Sequence, residues 1–271
     1  MTSQRHNLAL RIATAVVGLP LVGLAVFAHD TRVLLLLCLL ICALALTEYS
    51  GLLLRGRPFA EKAGLVAIGC AFFLATSLRP GLVLPWVISA VLASGLLVLS
   101  RASDPTTAAP RVATMVFGVF YVGGLLAALP LLHANDLAGP AWVALAIAMT
   151  FANDTGAYFT GRAIGRHKLA PALSPAKTIE GAVGGMGATL LVTLAGRAWF
   201  VPSLSLRDCF ALALPAAVLG PAGDLLESVL KRSAGAKDSG RLLPGHGGIL
   251  DRIDALLFVG GYVYVYVVCL R

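Results

Sequence analysis

Long uninterrupted apolar runs constrain this chain more than any other feature of its sequence. The segment TRVLLLLCLLICALALTEYSGLLL, residues 31–54, contains one acid, Glu48. About 20 apolar residues in a helix are enough to cross a hydrocarbon core about 30 Å thick. Hydrophobic residues make up 58% of the 271 residues and charged ones 13%, whereas charged residues form about a quarter of soluble domains. The sequence therefore predicts an all-α, polytopic integral membrane protein.

About nine segments have the length and composition of transmembrane helices. They comprise residues 8–28, 33–54, 63–78, 82–100, 112–132, 141–160, 181–201, 208–229 and 252–270. The third is short and the sixth and eighth contain acids, so eight or ten spans are alternatives. The first resembles a secretory signal, but the eight spans that follow favour an uncleaved helix.

The distribution of Lys and Arg predicts a cytoplasmic N-terminus. With nine spans in that orientation, 16 of the 21 basic residues lie in cytoplasmic segments, Arg101 and Arg111 among them. This asymmetry agrees with the positive-inside rule. The charged connections after the sixth and eighth spans then face the cytoplasm, where nucleotides are found. Anionic lipid head groups attract the same residues, so the net charge of +8 does not require a nucleic acid partner.

The cysteines and one glycine-rich run are interpreted as packing features. All five cysteines lie in apolar spans without a zinc-binding spacing, and we expect them to be small buried hydrophobic residues: Cys38, Cys42, Cys70, Cys209 and Cys269. The run GAVGGMG, residues 181–187, could be mistaken for a nucleotide-binding loop, but small residues inside an apolar span favour close helix packing. No Gly-x-x-x-x-Gly-Lys-Ser/Thr phosphate loop occurs.

Clusters of ionisable side chains divide the chain into two regions. Residues 1–140 are predicted to be scaffold helices, with lipid access or oligomer contacts, and residues 141–271 a catalytic transmembrane region. The catalytic region begins with Asp154, inside or at the end of the sixth span. A charged group inside a membrane costs about 2.5–3.5 kcal/mol and normally has a task, but a helix end closed by Gly156 explains Asp154 equally well.

Residues 165–181, GRHKLAPALSPAKTIEG, form a predicted loop because two prolines break any helix. Lys and hydroxyl groups on such a backbone suit phosphate oxygens. The loop presents His167, Lys168, Ser174, Lys177 and Thr178. Its basic residues could instead only orient the protein in the membrane, and Thr178 to Gly181 could equally start the seventh span.

The eighth span ends in GDLLESVLKR, residues 223–232. Asp224 and Glu227 share a helix face, and Lys231 lies four residues beyond Glu227, the spacing of an ordinary ion pair. Such a pair leaves Asp224 unexplained in an apolar run, where a free carboxylate is costly. Asp224 is therefore the better candidate for a metal ligand.

A glycine-rich turn, Pro244 to Gly248, precedes the last span. Glycine allows backbone N–H groups to approach an anion closely, and we expect a helix to begin near Ile249. Asp251 and Asp254 then lie three residues apart on one face. They are either functional acids or favourable charges near a helix N-terminus.

Together these segments predict a phosphate- and metal-handling site. Magnesium typically takes one or two carboxylates and completes its coordination with water and substrate phosphates, and Asp224 and Asp251 are our candidates. Lys231, Arg232 and Lys237 would neutralise a triphosphate. Phosphoryl-type transfer needs mainly positioning and charge stabilisation, which these residue types provide.

The segment SVLKRSAGAKDSGRLLPGHGGILDRID, residues 228–254, resembles the signature of the phosphatidate cytidylyltransferase, or CDP-diacylglycerol synthase, family. Upstream, DTGAY (154–158), SPAKT (174–178) and Gly223-Asp224 resemble further elements of that family in the same order. The resemblance covers about residues 150–260. The N-terminal half is similar only as a set of apolar spans with one acid, Glu48.

The resemblance implies an enzyme that joins CTP to phosphatidic acid and releases pyrophosphate, with Mg²⁺ as cofactor and K⁺ as a candidate second cation. It implies Asp224 and Asp251 as the metal ligands. The catalytic set would be Asp251, Asp224, Lys237, Asp238 and His246, with His246 orienting or contacting phosphate. The substrate-binding set would be Lys231, Arg232, Lys177, Ser174, Arg252, Asp154, Asp254, Gly247 and Gly248.

The same resemblance sets the expected partners and location. CTP, phosphatidic acid and the lipid bilayer are expected partners, nucleic acid is not, and a homodimer is allowed. The expected location is the bacterial cytoplasmic (inner) membrane, with the active site on the cytoplasmic side.

Two other functions are alternatives on the residues alone. A CTP-dependent lipid kinase would need the same metal and basic groups, but it would release CDP instead of pyrophosphate. An anion transporter would spread acids and bases through several spans at mid-depth, whereas here they cluster in the C-terminal half. The signature favours the transferase over both.

Overall fold

A computed structural model describes residues 16–101, 104–136, 138–240 and 247–271 of the chain. The described residues form ten α-helices and one short β-hairpin. The helices are α1 (Val16–Val26), α2 (Thr31–Leu53), α3 (Phe59–Leu78), α4 (Val83–Leu99), α5 (Pro105–Gly118), α6 (Leu125–Asn135), α7 (Gly139–Ile164), α8 (Ile179–Trp199), α9 (Leu206–Ser233) and α10 (Leu250–Val265). A 3₁₀ turn, Pro80–Leu82, precedes α4, and π-helical turns follow α5 (Val119–Gly124) and α10 (Tyr266–Leu270).

The predicted all-α, polytopic membrane fold is confirmed. Among the described residues, seven helical segments are long and apolar enough to cross a membrane: Thr31–Leu53, Phe59–Leu78, Pro80–Leu99, Pro105–Asn135, Ile179–Trp199, Leu206–Ser233 and Leu250–Leu270. Of the other two predicted spans, 141–160 corresponds to α7, and 8–28 lies partly outside the described residues and partly in the short helix α1. The count of nine and the cytoplasmic N-terminus stay predictions.

Polar side chains cap the starts of several helices. The Asp30 carboxylate accepts a hydrogen bond from the Arg32 N–H at 2.9 Å, which caps α2. Asp104 caps α5 in the same way, and Pro105 follows at the first helical position. Because such a proline is pre-organised for a helix start, this helix begins seven residues before the predicted span at 112.

Two prolines inside α9 are compensated by side chains of other helices. Proline lacks the N–H that would bond to the carbonyl four residues earlier, so Pro215 and Pro221 leave the carbonyls of Ala211 and Ala217 without helical donors. The Tyr262 hydroxyl donates to the Ala211 carbonyl at 2.5 Å, and Asn153 Nδ2 donates to that of Ala217 at 3.0 Å. Neighbouring helices therefore satisfy the backbone that proline frees, as a membrane interior requires.

The described residues form two compact units. Residues up to 130 and those of 236–251 make up the first unit; residues 131–235 and 252–271 make up the second. The first unit therefore includes residues 236–251, which contain the glycine-rich turn, as well as the N-terminal helices. The functional division that the sequence places near residue 140 stays a prediction.

A buried ion pair in the first unit corrects one expectation. Arg111 was assigned to a cytoplasmic connection, but it lies within α5 and pairs with Glu61 of α3. Glu61 is fully buried and Arg111 is 7% exposed. Because the apolar run begins only after Arg111, the run did not indicate that the helix begins earlier, at Pro105.

In the second unit, glycines allow α7 and α8 to approach closely, which confirms the packing interpretation of residues 181–187. A Cβ atom added at Gly184 would lie 2.0 Å from Thr160 Oγ1, and one at Gly156 would lie 2.8 Å from the Gly184 carbonyl oxygen. Gly187 has nothing within 4 Å of such an atom. The helices are therefore in near-backbone contact along most of the run.

The predicted loop at 165–181 is a β-hairpin, so the expectation of irregular backbone was wrong. Strands β1 (Lys168–Ala170) and β2 (Ser174–Thr178) pair antiparallel, with Lys168 opposite Thr178. Pro171 lies between the strands and Pro175 within a two-stranded sheet, where proline is tolerated at an edge. The alternative for Thr178 is confirmed, since its hydroxyl caps α8 by accepting from Gly181 N–H at 3.1 Å.

The cysteines are free thiols, in line with the sequence interpretation, with one correction. Cys38, Cys42 and Cys209 are buried, and Cys70 is partly buried. Cys269 is exposed on the C-terminal turn. Its apolar neighbours in sequence predicted burial, but an apolar face of a membrane helix can face lipid as well as protein.

Candidate active site

Three carboxylates of the second unit converge at the meeting of α9 and α10. One oxygen from each of Asp224, Glu227 and Asp254 lies within 4.8 Å of the others. Glu227 and Asp254 are buried. A Cβ at Gly223 would lie 2.5 Å from the Asp254 carbonyl oxygen, so this glycine allows the helix backbones to approach beside the cluster.

Two lysines contact this carboxylate cluster. Lys231 Nζ lies 2.5 Å from Glu227 Oε2, which confirms the ion pair expected from their spacing of four residues. Lys177 Nζ, on β2, lies 2.6 Å from Asp224 Oδ2. The cluster therefore combines three acids with two cations, and Lys177 brings the hairpin to α9.

A cavity of about 400 Å³ adjoins the Lys177–Asp224 ion pair. Its walls come from α7, α8, α9 and the hairpin, all in the second unit, and they include Asp154, Tyr158 and Arg162. A cavity of this size falls within the range of small-molecule sites. Three residues predicted to bind substrate or metal, Asp154, Lys177 and Asp224, thus line one cavity.

The position of Asp154 decides between its two interpretations. Helix α7 continues for ten residues beyond Asp154, to Ile164. The interpretation as a helix end closed by Gly156 was therefore wrong. Asp154 lies within the helix and lines the cavity.

Other predicted substrate-binding residues lie elsewhere. Ser174 begins β2 and does not line the cavity. Arg232 is exposed in the last turn of α9, and Arg252 is exposed in the first turn of α10. Their proposed contacts with substrate stay predictions.

The signature segment, defined here as residues 237–251, belongs to the first unit. Asp251 Oδ2 accepts hydrogen bonds from the Ser239 N–H at 3.0 Å, the Ser239 hydroxyl at 2.9 Å and the Gly248 N–H at 2.9 Å. Gly247 has a φ of +82°, which favours glycine. The Gly248 N–H, which was predicted to bind a substrate anion, thus donates to the carboxylate of Asp251 instead.

Three other residues of the signature segment were predicted to be catalytic. Of these, Lys237 and Asp238 are exposed. His246 lies outside the described residues. Helix α10 begins at Leu250, within one residue of the predicted start. The catalytic roles of these residues, and Asp251 as a metal ligand, stay predictions.

Sequence reasoning missed three contributions of acidic residues. Glu227 was assigned only to its ion pair with Lys231, and Asp254 only to substrate binding, although both join the cluster around Asp224. Glu227 lies three residues from Asp224, and Asp254 lies three residues from Asp251. This helical spacing was the signal in the sequence. Glu48 was noted as a lone acid, but no local pattern in the sequence indicated its contacts with the signature segment.

Comparison with known proteins identifies the family of this chain. The chain matches the family model described as the cytidylyltransferase family over residues 9–270. It is similar to a phosphatidate cytidylyltransferase of Brucella suis biovar 1 (strain 1330), with 42% identity over 157 residues, or 55% of each chain. A phosphatidate cytidylyltransferase of Staphylococcus aureus (strain COL) is 34% identical over 257 residues, or 92% of this chain and 95% of the relative. The match thus spans about half of the Brucella relative and nearly all of the Staphylococcus one, and the chain belongs to the cytidylyltransferase family.

Proposed function

We propose that this protein transfers the cytidylyl group of CTP to phosphatidic acid, forming CDP-diacylglycerol and pyrophosphate. The observation that carries the proposal is the cluster of Asp224, Glu227 and Asp254, with Lys177 and Lys231 bound to it. The names of the relatives support the choice of substrates, and the family supports the type of reaction.

The carboxylate cluster fits a magnesium ion. Mg²⁺ prefers oxygen ligands at 2.0–2.1 Å, so two oxygens on one ion lie at most about 4.2 Å apart. The three carboxylate oxygens lie within 4.8 Å of one another, and small side-chain adjustments would bring them to that spacing. Asp224, Glu227 and Asp254 would hold the ion. Asp251, the other ligand that the resemblance implies, belongs to the first unit, and its role as a ligand stays a prediction. Bound there, Mg²⁺ would neutralise charge on the phosphates of CTP.

The lysines would stabilise charge during the transfer. An oxygen of the lipid phosphate forms a bond with the α-phosphorus of CTP, and the bond from that phosphorus to the bridging oxygen of pyrophosphate breaks. Lys177 and Lys231 lie within 2.6 Å of the acidic cluster, where ammonium groups can offset negative charge on the leaving pyrophosphate.

No general base is needed for this attack. The second pKa of a phosphate monoester is about 6, so the lipid phosphate is largely ionised at neutral pH. The acids of the cluster are therefore assigned to binding cations, and proton transfer is not part of their role.

The cavity beside Lys177 is the proposed place for part of the nucleotide. It is lined by the aromatic ring of Tyr158 and the guanidinium of Arg162, whose Nη1 donates to the Tyr158 hydroxyl at 2.9 Å. Together with Lys177, these groups offer one flat surface and two positive charges to a nucleoside phosphate.

The many apolar helices indicate a multi-pass membrane protein, and the charge distribution supports the orientation proposed here. We place the protein in the bacterial cytoplasmic membrane with the site on the cytoplasmic side, because CTP is a cytoplasmic metabolite and the positive-inside rule favours that orientation. Phosphatidic acid would then arrive from the same bilayer.

The experiment is a product analysis with purified protein in detergent, CTP labelled at the α-phosphate, Mg²⁺ and phosphatidic acid. The proposal predicts label in the organic phase and one pyrophosphate released for each lipid labelled. Unlabelled lipid product with free CDP would instead identify a CTP-dependent kinase. Absence of both products in a folded preparation would contradict the proposed function.

A further inference from the structure

Glu48 is a buried acid that the proposed reaction does not use. It lies near the end of α2 and is 6% exposed. Within the described parts of the chain, Glu48 forms no ion pair. Its carboxylate instead contacts the signature segment, about 200 residues further along the chain.

Hydrogen bonds connect Glu48 to both ends of the signature segment. Glu48 Oε2 accepts from the Leu250 N–H at 2.9 Å and lies 3.2 Å from the Ser239 hydroxyl. That hydroxyl is also 2.9 Å from Asp251 Oδ2. One serine hydroxyl therefore lies between the carboxylates of Glu48 and Asp251.

Glycines make room for the Glu48 carboxylate. A Cβ at Gly240 would lie 2.3 Å from Glu48 Oε1, and one at Gly248 would lie 2.5 Å from Glu48 Oε2. Neither position tolerates a side chain without movement of this carboxylate. Gly240 and Gly248 are thus needed for packing against α2, independently of any contact with phosphate.

We propose that Glu48 is a positioning residue for the signature segment. It fixes Ser239 and Leu250 and, through the Ser239 hydroxyl, orients the carboxylate of Asp251. Only Oε2 accepts these hydrogen bonds, so the role requires one acceptor oxygen and no negative charge. The measurement of CTP turnover rests on the proposed function, whereas the measurement of hydrogen exchange does not.

The test compares Glu48→Met, which removes the acceptor, with Glu48→Gln, which keeps one acceptor oxygen. Glu61→Gln is the matched control, because Glu61 is a buried acid of the same unit that pairs with Arg111. Two quantities are measured in detergent: amide hydrogen exchange of the peptides that contain Ser239 and Leu250, and the turnover of CTP.

Loss of a buried acceptor should accelerate exchange in these peptides by about tenfold or more in Glu48→Met, and should lower turnover by a similar factor. Glu48→Gln should stay within about threefold of the wild type in both. Glu61→Gln should leave exchange in the signature segment unchanged. A protein without transferase activity would still give a decisive exchange result.

Wild-type exchange in Glu48→Met would overturn the proposal. A Glu48→Gln variant as defective as Glu48→Met would also overturn it, because that result would make the charge essential. If Glu48→Met does not fold, Glu48→Asp takes its place. The shorter side chain withdraws the oxygen from Leu250 and Ser239, so faster exchange is expected there, and wild-type exchange would refute the role.

Discussion

Lys177 Nζ lies 2.6 Å from Asp224 Oδ2 and 3.4 Å from the carbonyl oxygen of Pro221, which joins the β-hairpin to α9. The lysine is 23% exposed and the aspartate 37%, so the pair is accessible from the adjoining cavity. Without substrate, Lys177 neutralises a proposed metal ligand. With substrate, the same ammonium can turn to a phosphate oxygen.

Replacing Lys177 by Met should therefore separate metal binding from turnover. Removing a partly exposed cation beside Asp224 should strengthen Mn²⁺ or Mg²⁺ binding to the nucleotide-free protein by about two- to fivefold. Turnover should fall by about tenfold or more, because a charge-assisted contact with phosphate is lost. Calorimetric metal titration and the labelled-CTP assay measure the two effects.

Lys168→Met is the matched control for this prediction. Lys168 lies in β1 of the same hairpin and is exposed, so its replacement should alter neither quantity appreciably. A Lys177→Met variant with normal turnover would show that the cation serves only to balance the charge of Asp224.

The compensation of Pro221 by Asn153 gives a stability prediction. Asn153→Leu removes the donor to the Ala217 carbonyl and should cost about 1–3 kcal/mol of unfolding free energy, because a buried acceptor loses its partner. Thermal unfolding in detergent reports the loss.

A proline replacement provides the control. In a Pro221→Ala background, residue 221 regains an N–H that can bond to the Ala217 carbonyl within the helix. Asn153→Leu should then cost much less than in the wild type. Equal costs in the two backgrounds would mean that Asn153 acts through packing and not through the proline-freed carbonyl.

The close approach of α7 and α8 can be tested with two glycines of one run. Gly184→Ala would place a methyl group 2.0 Å from Thr160 Oγ1, whereas the same atom at Gly187 has nothing within 4 Å. Overpacking of this kind typically costs about 1–3 kcal/mol. We expect a lower melting temperature for Gly184→Ala and an unchanged one for Gly187→Ala; similar values would argue against the packing.

Helix positions were predictable from the sequence because lipid leaves an apolar run of about 20 residues few alternatives to a helix. The helix face that Asp224 and Glu227 share was equally predictable, since a spacing of three or four residues defines a helix face. In both cases the decisive information is local.

Contacts between distant segments were not predictable in this way. Two prolines suggested a loop at 165–181, but cross-strand pairing of Lys168 with Thr178 made a hairpin. Glu48 and Leu250 are 202 residues apart, and no periodicity relates them. The position of Glu227 in the carboxylate cluster was missed for another reason. Its expected ion pair with Lys231 already explained why an acid stands four residues before that lysine.

The most direct test of the account measures the initial rate of cytidylyl transfer against Mg²⁺ concentration for Asp254→Asn. Losing a cluster carboxylate should lower the rate by about a hundredfold or more and shift the Mg²⁺ dependence to higher concentration. Asp208→Asn is the control, because Asp208 lies in the first turn of α9, where it accepts from the Ser205 N–H and from the Tyr266 hydroxyl, both at 2.7 Å. Wild-type rate and Mg²⁺ dependence in Asp254→Asn would contradict the assignment of this cluster as the catalytic centre.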